Sequence, residues 1–180
     1  MTQLGNAPVH VYSNFISDKD SDKAVLIIQE QAKDRGRNGI DLSKIAGYRV
    51  CRPTPEVYDF LCERGGNASK LHNLDVDLYT KSANLGLWET GSRCLPHTDD
   101  ALEWTRMLSH SSVVYLNDDY EGGNIGFPEY GEYYRPKKGD CIVFTASIVH
   151  EVLPITGGTR YTAAFWHTED KQYKDNYDKS

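Results

Sequence analysis

The second half of this sequence alternates between short apolar or β-branched runs and turn-forming residues, and no other feature limits the possible folds as strongly. Turn signals fall at Asn117–Asp119, Pro128, Lys138–Asp140 and Gly157–Gly158. Several short strands at such spacing are typical of an antiparallel sandwich or barrel. The predicted strands are Leu85–Glu89, Ser112–Leu116, Gly123–Phe127, Glu132–Arg135, Cys141–Thr145, His150–Ile155 and Arg160–His167.

The first third of the chain is charged and helix-like instead. One helix should begin in the capping cluster Ser17–Asp22 and end near Gly36. A second should run from Thr54 to Gly65 or Gly66, after a short strand at Tyr48–Arg52. Helices that come first and strands that come later argue against alternating βαβ units.

These patterns predict a mainly β fold with flanking helices. The best fit is a double-stranded β-helix, the cupin-like jelly roll, with N-terminal α-helices packed outside it. With 180 residues, we expect a single domain, 1–180. Its helical support should cover about 1–84, its jelly-roll core about 85–167, and a polar tail 168–180.

Three residues are candidate metal ligands. His97 and Asp99 flank Thr98, and residues two apart on a strand or at its end point to the same face. Such a triplet is weak alone, because a surface histidine beside a turn aspartate is its more frequent meaning. His150 lies in an apolar run, where a histidine is usually a core residue. If the jelly roll joins them, two imidazoles and one carboxylate occupy one face of an octahedron, as in non-haem iron(II) oxygenases.

Arg160 follows His150 by ten residues, across the Gly157–Gly158 turn. Antiparallel pairing could return its guanidinium, a planar fork suited to a carboxylate, to the neighbourhood of the metal. A solvated arginine at a strand end is the simpler alternative. Thr162 shares its strand face and could add a hydroxyl donor.

The order of these residues resembles that in the iron(II)- and 2-oxoglutarate-dependent dioxygenases, and most closely in their prolyl 4-hydroxylase branch. The resemblance covers roughly Leu85 to Trp166. It includes YLN followed by YEGG at 115–123, PKKGD at 136–140, HEV at 150–152 and GTR at 158–160. Upstream of the histidine, Trp88 and Cys94 stand where the branch often has tyrosines, whereas Gly91 is retained.

This resemblance implies a chemistry and a division of roles. His97, Asp99 and His150 would hold Fe(II), while 2-oxoglutarate and O2 would be the cosubstrates. Arg160 would pair with the distant carboxylate of 2-oxoglutarate. Further cosubstrate contacts are expected from Thr162, Tyr115 and Trp88. Ascorbate is the expected reductant, and the reaction would convert a C–H bond of the substrate into C–OH.

The resemblance implies a prolyl residue in a peptide or protein as the substrate. The loops 100–110 and 128–134 could bind it, with contacts from Trp104, Tyr130, Tyr133 and Tyr134. A free amino acid or other small molecule remains an alternative substrate, and a non-catalytic metal-binding jelly-roll module is an alternative of another class. Nucleic acid is an unfavourable partner, because the net charge of −6 gives no attraction to phosphate backbones.

Composition favours a cytoplasmic protein without a membrane partner. No apolar run approaches the length of a membrane span, and no basic-then-apolar leader opens the sequence. Cys51, Cys62, Cys94 and Cys141 form no CxxC pair, so we expect four reduced thiols.

Overall fold

The computed structural model describes residues 1–35, 49–51 and 77–173, and its largest element is an antiparallel sheet of seven strands. We call it the large sheet. Every neighbouring pair in it is antiparallel. In spatial order its strands are β1 (Thr2–Gln3), β2 (Val9–Tyr12), β10 (Cys141–Thr145), β6 (His110–Tyr115), β13 (Thr159–Thr168), β4 (Tyr79–Glu89) and β3 (Arg49–Cys51).

A second sheet of four strands, the small sheet, packs against it. Its spatial order is β5 (Cys94–His97), β11 (His150–Val152), β8 (Ile125–Phe127) and β9 (Glu132–Tyr134). A two-stranded ribbon joins β12 (Ile155–Gly157) to β7 (Glu121–Gly122). Short 3-10 turns occupy Glu103–Thr105, Pro128–Tyr130 and Lys171–Tyr173.

One buried cluster lies between the two sheets. Phe144 of the large sheet meets Phe127 of the small sheet edge to face, with ring centroids 5.4 Å apart. The cluster also contains Val9, Val11, Tyr115, Ile125, Ile142 and Ile148. Two antiparallel sheets around one core confirm the predicted mainly β, jelly-roll fold.

The helix α1 (Asp18–Arg35) covers the opposite face of the large sheet. Its N-terminus is capped by Ser17, whose Oγ accepts a hydrogen bond from the backbone N–H of Asp20 at 3.1 Å. Ala24 and Ile28 are fully buried against the sheet, as the apolar stripe predicts.

Strand β4 shows that the two faces of the large sheet have different neighbours, the helix α1 on one side and the space between the sheets on the other. Leu85 and Leu87 pack in the cluster beneath α1, whereas Gly86 and Trp88 line a cavity on the other face. This alternation follows from the two-residue period of a strand.

The structure differs from the sequence-based predictions in the N-terminal part. β1 and β2 were not predicted, because a few alternating residues before a helix cap carry little local signal, and β2 is fixed by its distant partner β10. β4 begins at Tyr79 rather than at residue 85, so the strand region extends into the segment that we expected to give helical support. The second predicted helix, 54–66, lies outside the described residues.

The core strands also differ in detail. The predicted strand His150–Ile155 is divided into β11 and β12, which belong to different sheets. Pro154 lies between them and has no N–H for a sheet hydrogen bond. The predicted strand Gly123–Phe127 is shorter, Ile125–Phe127, and β5, which carries His97, was not predicted. The predicted strand at 48–52 is present as β3.

In the described part of the chain, no helix is both long and apolar enough to cross a membrane. Cys94 and Cys141 are free thiols there, as expected.

Candidate metal centre and cosubstrate pocket

The three candidate metal ligands come together at one end of the small sheet. His150 on β11 is the direct cross-strand partner of His97 on β5. Asp99 lies in the turn after β5, where its backbone N–H donates to the carbonyl of Ala146 at 2.8 Å. The sheet register and this turn therefore bring all three side chains to one place.

Their donor atoms face one another. The Nε2 atom of His97 lies 3.7 Å from Oδ1 of Asp99. The Nε2 atom of His150 lies 3.7 Å from the other carboxylate oxygen, Oδ2. One ligand atom from each residue falls within 4.8 Å of those of the other two. A single cation could therefore contact all three.

Hydrogen bonds leave the facing nitrogens available. Nδ1 of His97 lies 2.8 Å from the carbonyl oxygen of Leu95, and Nδ1 of His150 lies 3.1 Å from that of Ile148. Because a carbonyl oxygen only accepts, both Nδ1 atoms must carry the proton. In a neutral ring Nε2 then presents its lone pair toward Asp99, as a metal ligand requires.

Ser111 of β6 orients the carboxylate. Its Oγ donates to Oδ2 of Asp99 at 2.5 Å, and its own side chain is buried. Ligating carboxylates are commonly held in this way by an outer partner. The large sheet thus contributes Ser111 to the metal centre, although the three candidate metal ligands come from the small sheet and the turn after β5.

Electrostatics differ between the two histidines of the metal-free chain. Burial lowers the pKa of His150, so its ring stays neutral at physiological pH. The adjacent Cys94 thiol, helped by the Leu95 carbonyl and Asp99, raises the pKa of His97 to about 9, against an opposing effect of burial. A metal that binds His97 must therefore displace a proton.

The donor set suits Fe(II). Two imidazoles and one carboxylate on one face leave open positions for small ligands, whereas a closed structural zinc site has four protein donors. In the described residues, the group His97, Asp99 and His150 is the one set of three or more such donors this close together.

Arg160 lies in the same cavity, on β13, and is buried. Its Nη1 donates to the carbonyl of Gly123 at 2.9 Å. Its guanidinium carbon lies 4.1 Å from the ring centroid of Trp88, a cation–π contact. A buried guanidinium in this cavity is suited to an anionic ligand, whereas a solvated strand-end arginine would be exposed.

The other expected cosubstrate contacts surround this guanidinium. Trp88 donates through Nε1 to Oγ1 of Thr162 at 3.1 Å. Gly86 leaves room for that pair, since a Cβ there would lie 2.5 Å from Oγ1 of Thr162. Tyr115 is buried beside Arg160, and burial raises the pKa of its hydroxyl, which therefore stays protonated.

The predicted substrate-contacting aromatics lie outside this cavity. Trp104 is 69% exposed, in the turn whose neighbours Leu102 and Thr105 line an outer groove next to His97 and Asp99. Tyr133 donates to Glu151 and covers Gly126, on the outer face of the small sheet.

Two further aromatics of the same region have separate positions. Tyr130 is 40% exposed, in the turn Pro128–Tyr130. Tyr134 points inward, where its hydroxyl donates to Asp140 at 2.7 Å.

Sequence reasoning missed several lining residues. Asn84 and Trp166 line both the inner cavity and the outer groove, so they sit where the two meet. Their strands β4 and β13 pair along ten residues, and both side chains fall on the face shared by Gly86 and Thr162. The two-residue period, once β13 was predicted, could have placed Trp166 on the face of Arg160.

Comparisons with known proteins agree with this geometry. Residues 83–168 match the family model of the 2OG-Fe(II) oxygenase superfamily. The chain is 33% identical over 75 residues to a PKHD-type hydroxylase of Maricaulis maris, which is 39% of this chain and 34% of that relative. The match therefore spans about a third of the relative's length.

Two solved structures share the fold. One is a prolyl hydroxylase from Trichoplax adhaerens in complex with a hypoxia inducible factor oxygen degradation domain peptide fragment; the TM-score is 0.73 at 16% identity, covering 93% of this chain and 86% of that one. The other is SnoK, a non-haem α-ketoglutarate-dependent carbocyclase of nogalamycin biosynthesis, with a TM-score of 0.73 at 14% identity and coverage of 91% and 80%.

Proposed function

We propose, from the match of residues 83–168 to the family model of the 2OG-Fe(II) oxygenase superfamily, that this protein is an iron(II)- and 2-oxoglutarate-dependent hydroxylase. One observation carries the proposal: the His97, Asp99 and His150 side chains and the buried guanidinium of Arg160 line the same cavity. A metal-only module would have no need for the guanidinium. The combination suits a ligand that chelates a metal at one end and carries a carboxylate at the other.

The chain's own residues have distinct parts in this proposal. His97, Asp99 and His150 hold Fe(II), and Ser111 fixes the carboxylate. Bound Fe(II) supplies the activation of O2 that couples decarboxylation of 2-oxoglutarate to C–H hydroxylation. Arg160 pairs with the far carboxylate of 2-oxoglutarate, and Thr162 and Tyr115, which line the same cavity, donate hydroxyl hydrogen bonds to it in this proposal.

Exclusion of water is a further contribution of the chain. Trp88, Tyr115 and Phe144, all lining the cavity, are more than nine-tenths buried, so the polar groups beside them act in a low-dielectric environment. The charge of Arg160 is therefore poorly screened, which favours an anionic ligand over a neutral one.

As the substrate we propose a prolyl residue in a peptide or protein. The names of the Maricaulis relative, a hydroxylase, and of the Trichoplax structure, a prolyl hydroxylase with a peptide fragment, support this choice. The outer groove with Leu102 and Thr105 opens next to His97 and Asp99, and Trp104 stands beside it. Tyr133, on the outer face of the small sheet, could reach only a peptide that extends beyond the groove.

The experiment is a succinate-formation assay with Fe(II), 2-oxoglutarate and ascorbate, the proposed reductant, in the presence of proline-containing peptides. Mass spectrometry should find a product 16 Da heavier, the mass of one oxygen atom, as expected for hydroxylation. His150→Ala should abolish turnover, and Arg160→Ala should raise the KM for 2-oxoglutarate by about 10- to 150-fold, the value of a charge-assisted hydrogen bond. Turnover unaffected in both variants would contradict the proposal.

A small molecule is the second candidate substrate. The fold shared with SnoK, and the position of Tyr133 away from the cavity, favour testing it. A free amino acid that stimulates succinate formation more than any peptide would replace the peptidyl assignment and leave the oxygenase assignment intact. We place the protein in the cytoplasm in the same proposal, since its free thiols suit a reducing compartment.

A further inference from the structure

Asn117, in the loop after β6, binds the backbone on both sides of Arg160. Its Nδ2 donates to the carbonyl of Thr159 at 2.7 Å, and its Oδ1 accepts from the N–H of Tyr161 at 2.7 Å. These are the residues immediately before and after Arg160. One side chain thus fixes the two peptide groups that flank the guanidinium-bearing residue.

The orientation of the Asn117 amide is unambiguous. Nδ2 also donates to the carboxylate of Asp119 at 2.6 Å. Two acceptors on one side and an N–H donor on the other allow only one assignment of oxygen and nitrogen. The backbone N–H of Leu116 adds a hydrogen bond to the carbonyl of Tyr161 at 3.0 Å.

The same loop also holds the tip of the Arg160 side chain. This loop runs from Asn117 to Gly123 and includes the two-residue strand β7, and the Gly123 carbonyl accepts from Nη1 of Arg160 at 2.9 Å. Arg135 braces the loop by donating to the carbonyl of Gly122 at 2.7 Å and to that of Tyr120. Hydrogen bonds from this one loop therefore hold both the guanidinium of Arg160 and the backbone on either side of it.

We propose that Asn117 is the positioning residue for carboxylate recognition by Arg160, an inference that rests on the proposed function. A bidentate pair between guanidinium and carboxylate requires a fixed direction of approach, and a displacement of about 1 Å in such a contact is costly. Without Asn117, the start of β13 keeps its pairing with β4, but the backbone at Thr159 and Tyr161 loses its two hydrogen bonds to the segment that carries Gly123.

Two variants separate the contacts of Asn117. Asn117→Ala removes both links to the backbone. Asn117→Asp keeps an acceptor for the Tyr161 N–H, loses the donor to Thr159 and places a second carboxylate beside Asp119. Gln29→Ala is the matched control, because Gln29 also binds Tyr161, but through the side-chain hydroxyl at 3.1 Å on the α1 side.

The measurements are 2-oxoglutarate affinity by calorimetry on the Mn(II)-loaded protein, Mn(II) affinity by electron paramagnetic resonance, and the melting temperature. We expect both Asn117 variants to bind 2-oxoglutarate about 5- to 50-fold more weakly, as loss of one or two hydrogen bonds predicts. Mn(II) affinity should stay close to that of the unaltered protein, and Gln29→Ala should leave 2-oxoglutarate affinity unchanged. In turnover, KM for 2-oxoglutarate should rise more than kcat falls.

Other outcomes have definite meanings. Unchanged 2-oxoglutarate affinity in Asn117→Ala, or an equal loss in Gln29→Ala, would overturn the inference and leave the proposed function standing. If Asn117→Ala does not fold, the isosteric Asn117→Asp decides on the same criterion. Failure of the unaltered Mn(II) protein to bind 2-oxoglutarate would instead refute the proposed function itself.

Discussion

Replacement of Ser111 by alanine tests how far the large sheet controls the metal centre. The hydroxyl of Ser111 donates to Oδ2 of Asp99, the oxygen that also faces Nε2 of His150. In Ser111→Ala the carboxylate keeps its backbone anchor to Ala146 but can rotate about its terminal torsion. The three donors then no longer share a fixed geometry before the metal arrives.

The expected magnitude follows from the bond that is lost. A hydrogen bond to a charged group contributes about 1.5–3 kcal/mol. Outer-shell partners of metal ligands change metal affinity by about 10- to 100-fold. That range corresponds to about 1.4–2.7 kcal/mol, so the two estimates agree. We therefore expect Mn(II) or Fe(II) affinity to fall by about one to two orders of magnitude, with the fold retained.

The assay is a Mn(II) titration followed by electron paramagnetic resonance, which detects the free ion. Ser112→Ala is the matched control: it removes the neighbouring hydroxyl of the same strand, but that hydroxyl bonds to Nε2 of His167 at 2.8 Å rather than to Asp99. Ser112→Ala should keep the metal affinity. An equal effect of both substitutions, or none from Ser111→Ala, would refute the orienting role of Ser111.

Three further predictions concern the same cavity. Gly86→Ala should weaken 2-oxoglutarate binding in calorimetry. A Cβ at this position would lie 2.5 Å from Oγ1 of Thr162 and 2.7 Å from Nε1 of Trp88, so it must break their hydrogen bond and displace the Trp88 ring from the Arg160 guanidinium. Unchanged affinity would contradict this prediction. Metal affinity should rise about tenfold per pH unit up to pH 9, since the proton on His97, whose pKa is raised to about 9, competes with the metal. Between pH 6.5 and pH 8.5 the metal affinity should therefore rise about 100-fold, and equal affinities in metal titrations at these two pH values would rule out the competing proton. Alkylation of Cys94, the thiol 3.6 Å from Nδ1 of His97, should block metal binding, whereas Cys94→Ser should preserve it under the same reagent.

The metal ligands were predictable because their signal is carried by residue type and order. His97, Asp99, His150 and Arg160 are each weak alone, but they stand in the sequence order that the resemblance implies, and the structure brings them to one cavity. The alternation of β4 and β13 then determines which neighbours face that cavity, so Thr162 was also accessible to sequence reasoning.

The remaining parts depend on register and on distant partners, which a single sequence does not specify. Ser111 and Ser112 are chemically identical neighbours, and only the pairing of β6 with β10 and β13 decides which hydroxyl meets Asp99. Tyr133 was assigned to a substrate loop, yet the β8–β9 pairing turns its side chain to the outer face of the small sheet. Asn117 was identified only as part of a motif, since the backbone groups of β13 that it binds lie 42 and 44 positions away.

The direct pairing of His97 with His150 joins an outermost strand to an interior one. Among the strands that the structure describes, β5 has β11 as its single neighbour in the small sheet, and the His97 side chain is 40% exposed against 9% for His150. A metal bound by His97 and His150 therefore holds β5 paired with β11. Release of the metal should begin with fraying of β5 rather than with movement of β11. Amide hydrogen exchange at Leu95 and His97 should slow markedly on metal loading, while exchange in β11 changes little. The rate of metal exchange would then be set by the opening of one short strand.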